Sequence, residues 1–230
     1  MDQDNAVPSS FTGVVRLFPL SDYVLLPRAV QPLHIFEPRY RQMTAHALAD
    51  DHLLCLVTLR PRESFATLGY PPISRIGCLA RIIVHQQIPD GRYFLVVRGL
   101  CRVRIEREIT SPYLYRMAQT SVVADTTIPP PTPMHRRIER LLDERLLCNR
   151  TARRQLQQIL QDDLPLGDLV DLLGFVLPLP AEKKLALLEQ SDPVQRAELL
   201  VTLLEESLPA PAGPREPVLG ADLLVGFSRN

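Results

Sequence analysis

The 230-residue sequence is short of the residues on which several enzyme classes depend. It contains no tryptophan and only two lysines, Lys183 and Lys184, among its 26 basic residues. A phosphate-binding P-loop needs glycine directly before its lysine, whereas Ala181 and Glu182 precede this pair. The sequence therefore holds no P-loop, and the scarcity of lysine argues against Schiff-base or lysine general-base chemistry.

Three further features of the sequence indicate the class of protein: its cysteines, its apolar runs and its N-terminus. Cys55, Cys78, Cys101 and Cys148 form no CxxC pair, which argues against a zinc site and indicates buried, reduced thiols. No apolar run approaches the roughly 20 residues that a membrane-spanning helix needs. Residues 1–10 have neither the basic nor the apolar part of a signal peptide. We therefore expect a cytoplasmic protein without a membrane partner.

No nucleophile or metal motif supplies catalytic chemistry. None of the serines lies in a GxSxG motif, and the histidines form no HExxH or HxH motif. His46 and Asp50 lie four residues apart on a predicted helix, but two ligands do not make a metal site. His34 is interpreted as a structural residue. The sequence therefore predicts a protein that is not an enzyme, with no catalytic residue, no metal site and no cofactor.

The sequence changes character near residue 130. Hydrophobic residues make up 46% and charged residues 23% of the chain, as in ordinary globular proteins. Residues 125–133 contain four prolines in their last five positions, which predicts a stiff, extended connector. The predicted organisation is a disordered N-terminus at 1–12, a strand-rich domain at 13–125, a linker at 126–133, a helical bundle at 134–208 and a flexible tail at 209–230.

Short apolar and β-branched segments predict a strand-rich first part with one early helix. Pro38 marks the first position of a helix over 38–49, and Pro89 and Gly91 predict a tight turn between two strands. Many short strands joined by turns favour a partly closed barrel over a doubly wound parallel sheet. The predicted strands are 14–18, 23–26, 53–59, 77–88, 92–98, 101–109 and 113–123.

Side-chain patterns place some of these residues inside or outside the fold. Alternation along 101–109 points Arg102 and Arg104 outward. Four or five short helices are expected in the second part, and Ser191-Asp192-Pro193 predicts the start of the last one, with a capping side chain followed by proline in the first turn. The aromatic residues assigned to the core are Phe18, Tyr40 and Phe94.

Five segments of the first part resemble, in their order and spacing, one known family. They are Leu17-Phe-Pro-Leu20, Val24-Leu-Leu-Pro27, the stretch from Pro32 to Met43, Ile76-Gly-Cys-Leu-Ala-Arg-Ile82 and the stretch from Pro89 to Gly99. They look like the N-terminal substrate-binding domain of the ATP-dependent protease Lon, and the helical stretch from Phe175 to Gln190 resembles the segment that follows its barrel. The resemblance covers residues 14–207. It implies an α+β fold, namely a PUA-like β pseudobarrel with one early helix, followed by a C-terminal helical bundle.

The resemblance implies a non-catalytic module that recognises proteins or peptides, because the ATPase and protease domains of Lon have no counterpart in this sequence. Its partners would be exposed apolar or extended segments of client proteins, bound in a groove or by strand addition. A separate protease or ATPase stays open as a further partner. From the residues themselves, the 60–74 loop is the candidate binding surface, unless its apolar side chains pack back on the barrel. The candidate peptide-binding residues are Phe65, Leu68, Tyr70 and Pro71.

The alternative function is RNA binding by a PUA-like module. A row of arginines on one strand face suits phosphate contacts, but Glu106 and Glu108 interrupt the row, and cross-strand ion pairs are the ordinary use of such a face. The chain also lacks the basic excess of nucleic-acid-binding proteins. A third class, an uncharacterised hydrolase, would need a pocket with perturbed titratable groups. The candidate RNA-binding residues are Arg98, Arg102, Arg104 and Arg107.

Overall fold

The computed structural model describes residues 6–60, 71–145, 159–160 and 163–207 of the chain. Within them, six strands are followed by helices, with one helix inserted early. The strands are β1 (Val14–Leu20), β2 (Val30–Ile35), β3 (Leu53–Thr58), β4 (Ile76–Gln87), β5 (Tyr93–Ile109) and β6 (Met117–Val122). The helices are α1 (Pro38–Leu48), α2 (Pro133–Arg145), α3 (Leu166–Val176), α4 (Ala181–Glu189) and α5 (Pro193–Ser207). The predicted α+β class is confirmed.

All six strands belong to one sheet, in the order β2-β5-β4-β3-β1-β6. A further pairing between β5 and β6 closes a circuit of five strands and leaves β2 at the free end. This is possible because β5 has 17 residues. Its first half pairs with β2 and its second half with β6, while β4 lies along its other side. Among the strands of the described residues, only the β1–β3 pair is parallel.

Two strand predictions at the start of the chain are wrong. β1 does not end at Pro19 but continues to Leu20. The N–H of Leu17 points towards β6, since it donates to Arg116 O. The nitrogen of Pro19, two residues further on, points the same way. At that position the β1–β6 pairing has already ended, so no strand needs the hydrogen-bond donor that proline lacks. Residues 23–26 form no strand. They form a mostly buried segment without regular secondary structure, and Tyr23 O accepts a hydrogen bond from Thr58 Oγ1.

The two strands predicted at 92–98 and 101–109 are one strand, β5. Gly99 lies in its middle, where its N–H donates to Ala29 O and its carbonyl accepts from Arg28 N. A Cβ on Gly99 would clash with Leu26 O. Glycine therefore marks the close approach of another chain segment at this position and not the end of a strand.

The main hydrophobic core lies between α1 and one face of the sheet. Tyr40, Met43 and Ala47 of α1 are buried against it, and the Phe18 and Tyr40 rings lie 4.5 Å apart. Val7 and Phe11, from the predicted N-terminal tail, pack against a second cluster, so residues 6–12 lie on the sheet. The helices α2, α3, α4 and α5 contribute to a separate cluster.

Local signals for turns and helix ends are confirmed. Gly91 takes a positive φ of 83° in the turn between β4 and β5. Asp192 Oδ1 accepts hydrogen bonds from Val194 N and Gln195 N at 2.8 and 3.1 Å, which caps α5. Within the part of the chain described above, no helix is long and apolar enough to cross a membrane.

A buried ion cluster joins the sheet to the helices. Arg102 of β5 donates to both carboxylate oxygens of Asp171 in α3 at 2.6 and 2.8 Å. Arg196 of α5 pairs with Asp171 and with Asp125. Arg102 is 2% exposed, so its predicted outward orientation is wrong. The division of the chain at 126–133 into two units stays a prediction.

Candidate functional site

One face of β2, β5 and β4 carries large apolar side chains in solvent. The register places them in cross-strand rows. Between β2 and β5, His34 stands opposite Phe94 and Pro32 opposite Val96. Between β5 and β4, Val96 stands opposite Val84. Antiparallel pairs of this kind point to the same side of a sheet. We call this surface the apolar face and define it by Val30, Pro32, His34, Phe36, Val84, Phe94 and Val96.

The exposure of the apolar face follows from the alternation of β5. Tyr93, Leu95 and Val97 point into the core beneath α1, so Phe94 and Val96 point the other way. Nine large hydrophobic residues are exposed in the described parts of the chain, and four of them lie on this face. They are Val30 (43% exposed), Phe36 (41%), Val84 (57%) and Phe94 (47%).

Aromatic rings form the centre of the apolar face. His34 stacks on Phe94 with ring centroids 4.7 Å apart and an interplanar angle of 17°. Phe36 lies 5.8 Å from His34 at a tilt of 45°. Both distances are typical of favourable ring pairs, which hold these side chains in place without a partner. The result is a flat, pre-arranged aromatic platform.

Charged groups lie at the two ends of the apolar face. At one end, Arg98 stands opposite Val30 on β2 and opposite Arg81 on β4. At the other end, Asp90 of the β4–β5 turn pairs with Arg92 at 2.6 Å. The face is therefore apolar along β2 and β5, polar at Gln86 of β4, which stands opposite Phe94, and charged at both ends, like the core and rim of a protein interface.

The free edge of β2 is less suited to a partner strand than its face. Pro32 lies in the middle of β2 and has no N–H to donate. Its carbonyl accepts a hydrogen bond from the Gln31 side chain at 2.9 Å. Proline on an edge strand is a common device against strand addition. At β2, a ligand is therefore expected to contact the side chains of the apolar face instead of extending the sheet.

The structure separates the four arginines predicted as an RNA-binding row. Arg102 is buried between the sheet and the helices, where it also donates to Leu187 O and Leu188 O. Burial lowers its pKa, but the carboxylate of Asp171 outweighs this, and the pKa of Arg102 is raised. Arg104 and Arg107 are exposed on the second half of β5, whereas Arg98 lies at the end of the apolar face. No continuous row of guanidinium groups results.

Most of the predicted peptide-binding residues lie outside the described parts of the chain. These are Phe65, Leu68 and Tyr70. Pro71 is described and half-buried, and its carbonyl accepts a hydrogen bond from Arg116 Nη1 at 2.9 Å. The role of this loop in binding stays a prediction.

A cavity of about 300 Å³ lies between the sheet and the helices. Arg28 and Asp168 pair across its wall at 2.8 Å, and Cys101 also lines it. Burial raises the pKa of Cys101 to about 11, so this thiol is not an activated nucleophile. Among the described residues, no three His, Cys, Asp or Glu side chains could hold a metal ion together.

The apolar face was missed in the sequence because β5 is apolar on both sides. The sequence pattern predicts Phe94 in the core, but the structure leaves it exposed. The run from Tyr93 to Val97 is apolar at every position. Such a run is typical of a strand buried on both faces. The same pattern arises when one face is an exposed binding surface, and that second interpretation would have pointed to Phe94.

Comparisons with known proteins agree with this architecture. The chain matches the family described as the ATP-dependent protease La (LON) substrate-binding domain over residues 14–206. A Lon protease of Desulfosudis oleivorans is 30% identical over 111 residues, which are 48% of this chain and 14% of that protein. Lon protease 2 of Myxococcus xanthus is 26% identical over 194 residues, 83% of this chain and 23% of that protein. The chain thus spans less than a quarter of these relatives.

Solved structures share the fold. The Lon N-terminal domain protein of Xanthomonas campestris aligns with a TM-score of 0.59 and 24% identity, over 82% of this chain and 97% of that one. The N-terminal domain of a Mycobacterium avium complex Lon protease aligns with a TM-score of 0.64 and 22% identity, over 85% and 100% of the two chains. With the match over residues 14–206, these likenesses lead to one conclusion: the chain belongs to the LON substrate-binding domain family.

Proposed function

We propose that the chain is a non-catalytic recognition module whose apolar face binds exposed apolar segments of unfolded or extended client proteins. The observation that carries the proposal is the set of four large apolar side chains exposed on one sheet face around the His34–Phe94 stack. Contiguous exposed apolar surface on a folded protein commonly marks an interaction site. Membership of a substrate-binding domain family supports the same function.

The chemistry of the apolar face suits a broad choice of clients. Contact through apolar side chains depends on buried area and not on a particular hydrogen-bond pattern. Aromatic anchors such as Phe36 and Phe94 commonly provide most of the binding energy of a small interface. Few anchors on a flat surface give weak binding, because the client loses conformational freedom when it is held. We expect modest affinity and little sequence specificity.

The proposal also includes a second contact region for clients and a second partner protein. The 60–74 loop, with Phe65, Leu68, Tyr70 and Pro71, is proposed as an additional contact for the same clients. A separate protease or ATPase is proposed as the second partner, because the relatives named above are Lon proteases and this chain matches only their substrate-binding part. RNA binding is the weaker alternative, since Arg102 is buried in an ion cluster.

The experiment removes the aromatic anchors and measures client binding. The double variant Phe36→Ser/Phe94→Ser is compared with the unchanged chain for binding to fluorescein-labelled β-casein, a protein without a stable fold. Truncating two such anchors is expected to weaken binding about tenfold or more. Because both side chains are more than 40% exposed, the midpoint of urea unfolding should change little.

A matched control carries the same substitutions on another surface. Leu114 is 63% and Val122 48% exposed, and neither lies on the apolar face. The variant Leu114→Ser/Val122→Ser should bind casein like the unchanged chain. Equal loss of binding in both double variants, or no loss in either, would refute the apolar face as the client site.

A further inference from the structure

We infer that extended client segments bind as an added strand along the outer edge of β4, where that edge borders the apolar face. The inference rests on the proposed function, because the apolar face remains the surface that the client side chains contact. It names the class of segment that the face takes, namely an extended stretch with apolar residues at alternate positions and free backbone N–H groups.

β4 extends past the start of the strand beside it. Its pairing with β3 ends at Arg81, although β4 continues to Gln87. The last bond on this side runs from Ile82 N to His52 O at 2.9 Å. The chain before His52 turns away into α1. Among the residues that the structure describes, the stretch 83–87, about 17 Å long, therefore has no neighbouring strand on this side.

A hydrogen bond at the end of β4 shows which backbone groups point outward. Ile88 N donates to Arg92 O at 3.0 Å, so the N–H of Ile88 faces β5. The direction of the backbone groups alternates along a strand, so Gln87 and His85 turn their N–H and C=O groups away from β5. Within the described ranges these groups have no hydrogen-bond partner. The edge therefore offers two N–H and two C=O groups to an added strand.

The outer edge of β4 lacks the proline that protects the edge of β2. Residues 83–87 read Ile-Val-His-Gln-Gln and contain neither proline nor lysine, the residues that natural proteins commonly place on exposed edges. The register shift between Ile82 and Val84 lies at the start of this stretch, and regular pairing with β5 resumes at Val84. A partner strand can therefore pair here without displacing any described strand.

An added strand would place its side chains beside the apolar face. Val84 and Gln86 point to this face, opposite Val96 and Phe94. A client residue opposite Val84 extends the row of Pro32, Val96 and Val84 by one strand. The next client residue on the same side lies about 6.8 Å further on, opposite Gln86, where a large side chain covers Gln86 and contacts Phe94. The edge and the face thus form one binding surface.

The two kinds of contact have different roles. Backbone hydrogen bonds hold the segment along β4 whatever its sequence, so strand addition is compatible with a broad choice of clients. Apolar side chains at alternate positions decide which side of the segment faces the protein. A segment with apolar residues at every second position is therefore expected to bind better than one with the same composition in scrambled order.

The first test removes one outward N–H from the edge. In His85→Pro the hydrogen bonds between β4 and β5 are kept, because His85 N points away from β5, and proline is tolerated on an edge strand. His85→Ala is the matched control, since it removes the same side chain and keeps the N–H. The probe is the fluorescein-labelled peptide Lys-Thr-Val-Thr-Phe-Thr-Val-Thr-Lys, which should bind His85→Pro about three- to tenfold more weakly than His85→Ala. Equal binding would overturn the inference.

The second test changes the peptide and uses the unchanged chain. One analogue carries N-methyl groups on both valines, and the other carries them on the two threonines beside the phenylalanine. Because only every second N–H of an added strand points to β4, one analogue should bind about tenfold or more weakly and the other like the parent peptide. Equal binding of both analogues, as expected for docking by side chains alone, would overturn the inference, and so would a parent peptide that does not bind.

The outcomes separate this inference from the proposed function. Loss of casein binding in Phe36→Ser/Phe94→Ser, with equal peptide binding by His85→Pro and His85→Ala, would uphold the apolar face as the client site and refute strand addition. Unchanged casein binding in Phe36→Ser/Phe94→Ser, with weaker peptide binding by His85→Pro, would refute the face as the client site and leave strand addition at β4 standing.

Discussion

Arg102 and Asp171 form two hydrogen bonds of 2.6 and 2.8 Å across the junction between β5 and α3. They are 2% and 1% exposed, so neither charge is solvated by bulk water. Arg196, which is fully buried, approaches Asp171 from α5 at 3.3 Å. One buried carboxylate thus holds two guanidinium groups that come from the sheet and from the last helix.

Asp171→Asn is expected to destabilise the protein by about 3–5 kcal/mol, because it leaves the buried Arg102 and Arg196 to share the partly exposed Asp125 as their counter-charge. Asp168→Asn is the control, since the Arg28–Asp168 pair is partly exposed and should be worth about 1 kcal/mol or less. Urea unfolding followed by circular dichroism gives both values. Equal losses of unfolding free energy in the two variants would show that the buried ion cluster stabilises the protein no more than the partly exposed Arg28–Asp168 pair does.

The predicted linker at 126–133 is expected to be cleaved only after the C-terminal residues. Asp125 pairs with Arg196, and Ile128 O accepts a hydrogen bond from Leu166 N at 2.8 Å, so the start of this stretch is anchored to helices, and Pro133 at its end begins α2. Limited proteolysis followed by mass spectrometry should show cuts beyond residue 208 first and cuts within 126–133 second. Asp171→Asn should accelerate the second cut, and an unchanged rate would contradict a role for the ion cluster in holding the connector.

Salt dependence separates apolar client binding from RNA binding. Casein binding at the apolar face is expected to change less than about threefold between about 50 and about 500 mM NaCl, because it does not depend on phosphate neutralisation. Binding to a single-stranded RNA oligonucleotide through Arg104 and Arg107 would fall steeply over the same range. Tight, salt-sensitive RNA binding that Arg104→Ala/Arg107→Ala abolishes would favour the alternative function.

The half-buried thiol of Cys101 should lower the stability of the protein in alkaline solution. Burial raises the pKa of Cys101 from 9.0 to about 11 in the folded protein, while the unfolded chain keeps the ordinary value. Above pH 9 the unfolded state therefore loses its proton first, and the free energy of unfolding falls as pH rises, by up to about 1.4 kcal/mol per pH unit for one group.

The measurement is urea unfolding at several pH values from 8 to 10.5, within the window set by that shift. Cys101→Val lacks the ionisable group and should show a smaller decrease over this range than the unchanged chain. Cys55 and Cys78 are also buried, and burial raises the pKa of each thiol, so part of the decrease should persist. Parallel pH curves for the two proteins would rule out ionisation of Cys101 as a cause.

Much of the local structure could be predicted from the sequence. Pro38 begins α1, the Pro89–Gly91 turn joins β4 to β5, and Asp192 caps α5, because each of these signals acts within a few residues. The α+β class followed from the order of strand and helix patterns. The family followed from a resemblance spread over five segments. These conclusions needed no knowledge of which elements lie side by side.

The errors in predicting the orientation of Arg102 and of Phe94 share one cause. Alternation shows that Arg102 and Arg104, or Phe94 and Val96, lie on the same side of an ideal strand. It does not show which side another element covers, or where a bulge or a glycine changes the path. Arg102 is buried because α3 and α4 pack over its part of β5, and Phe94 is exposed because α1 covers only the opposite face of the same strand.

The sequence by itself determined the class of fold, the helix starts, the turns and the lack of a P-loop or nucleophile motif. Only the tertiary structure decided that one arginine of the predicted row neutralises a buried aspartate, and that a phenylalanine assigned to the core lies on an exposed aromatic platform. The reason is physical. Capping and turn formation depend on neighbours along the chain, whereas burial depends on contacts between residues as distant in sequence as Arg102 and Asp171.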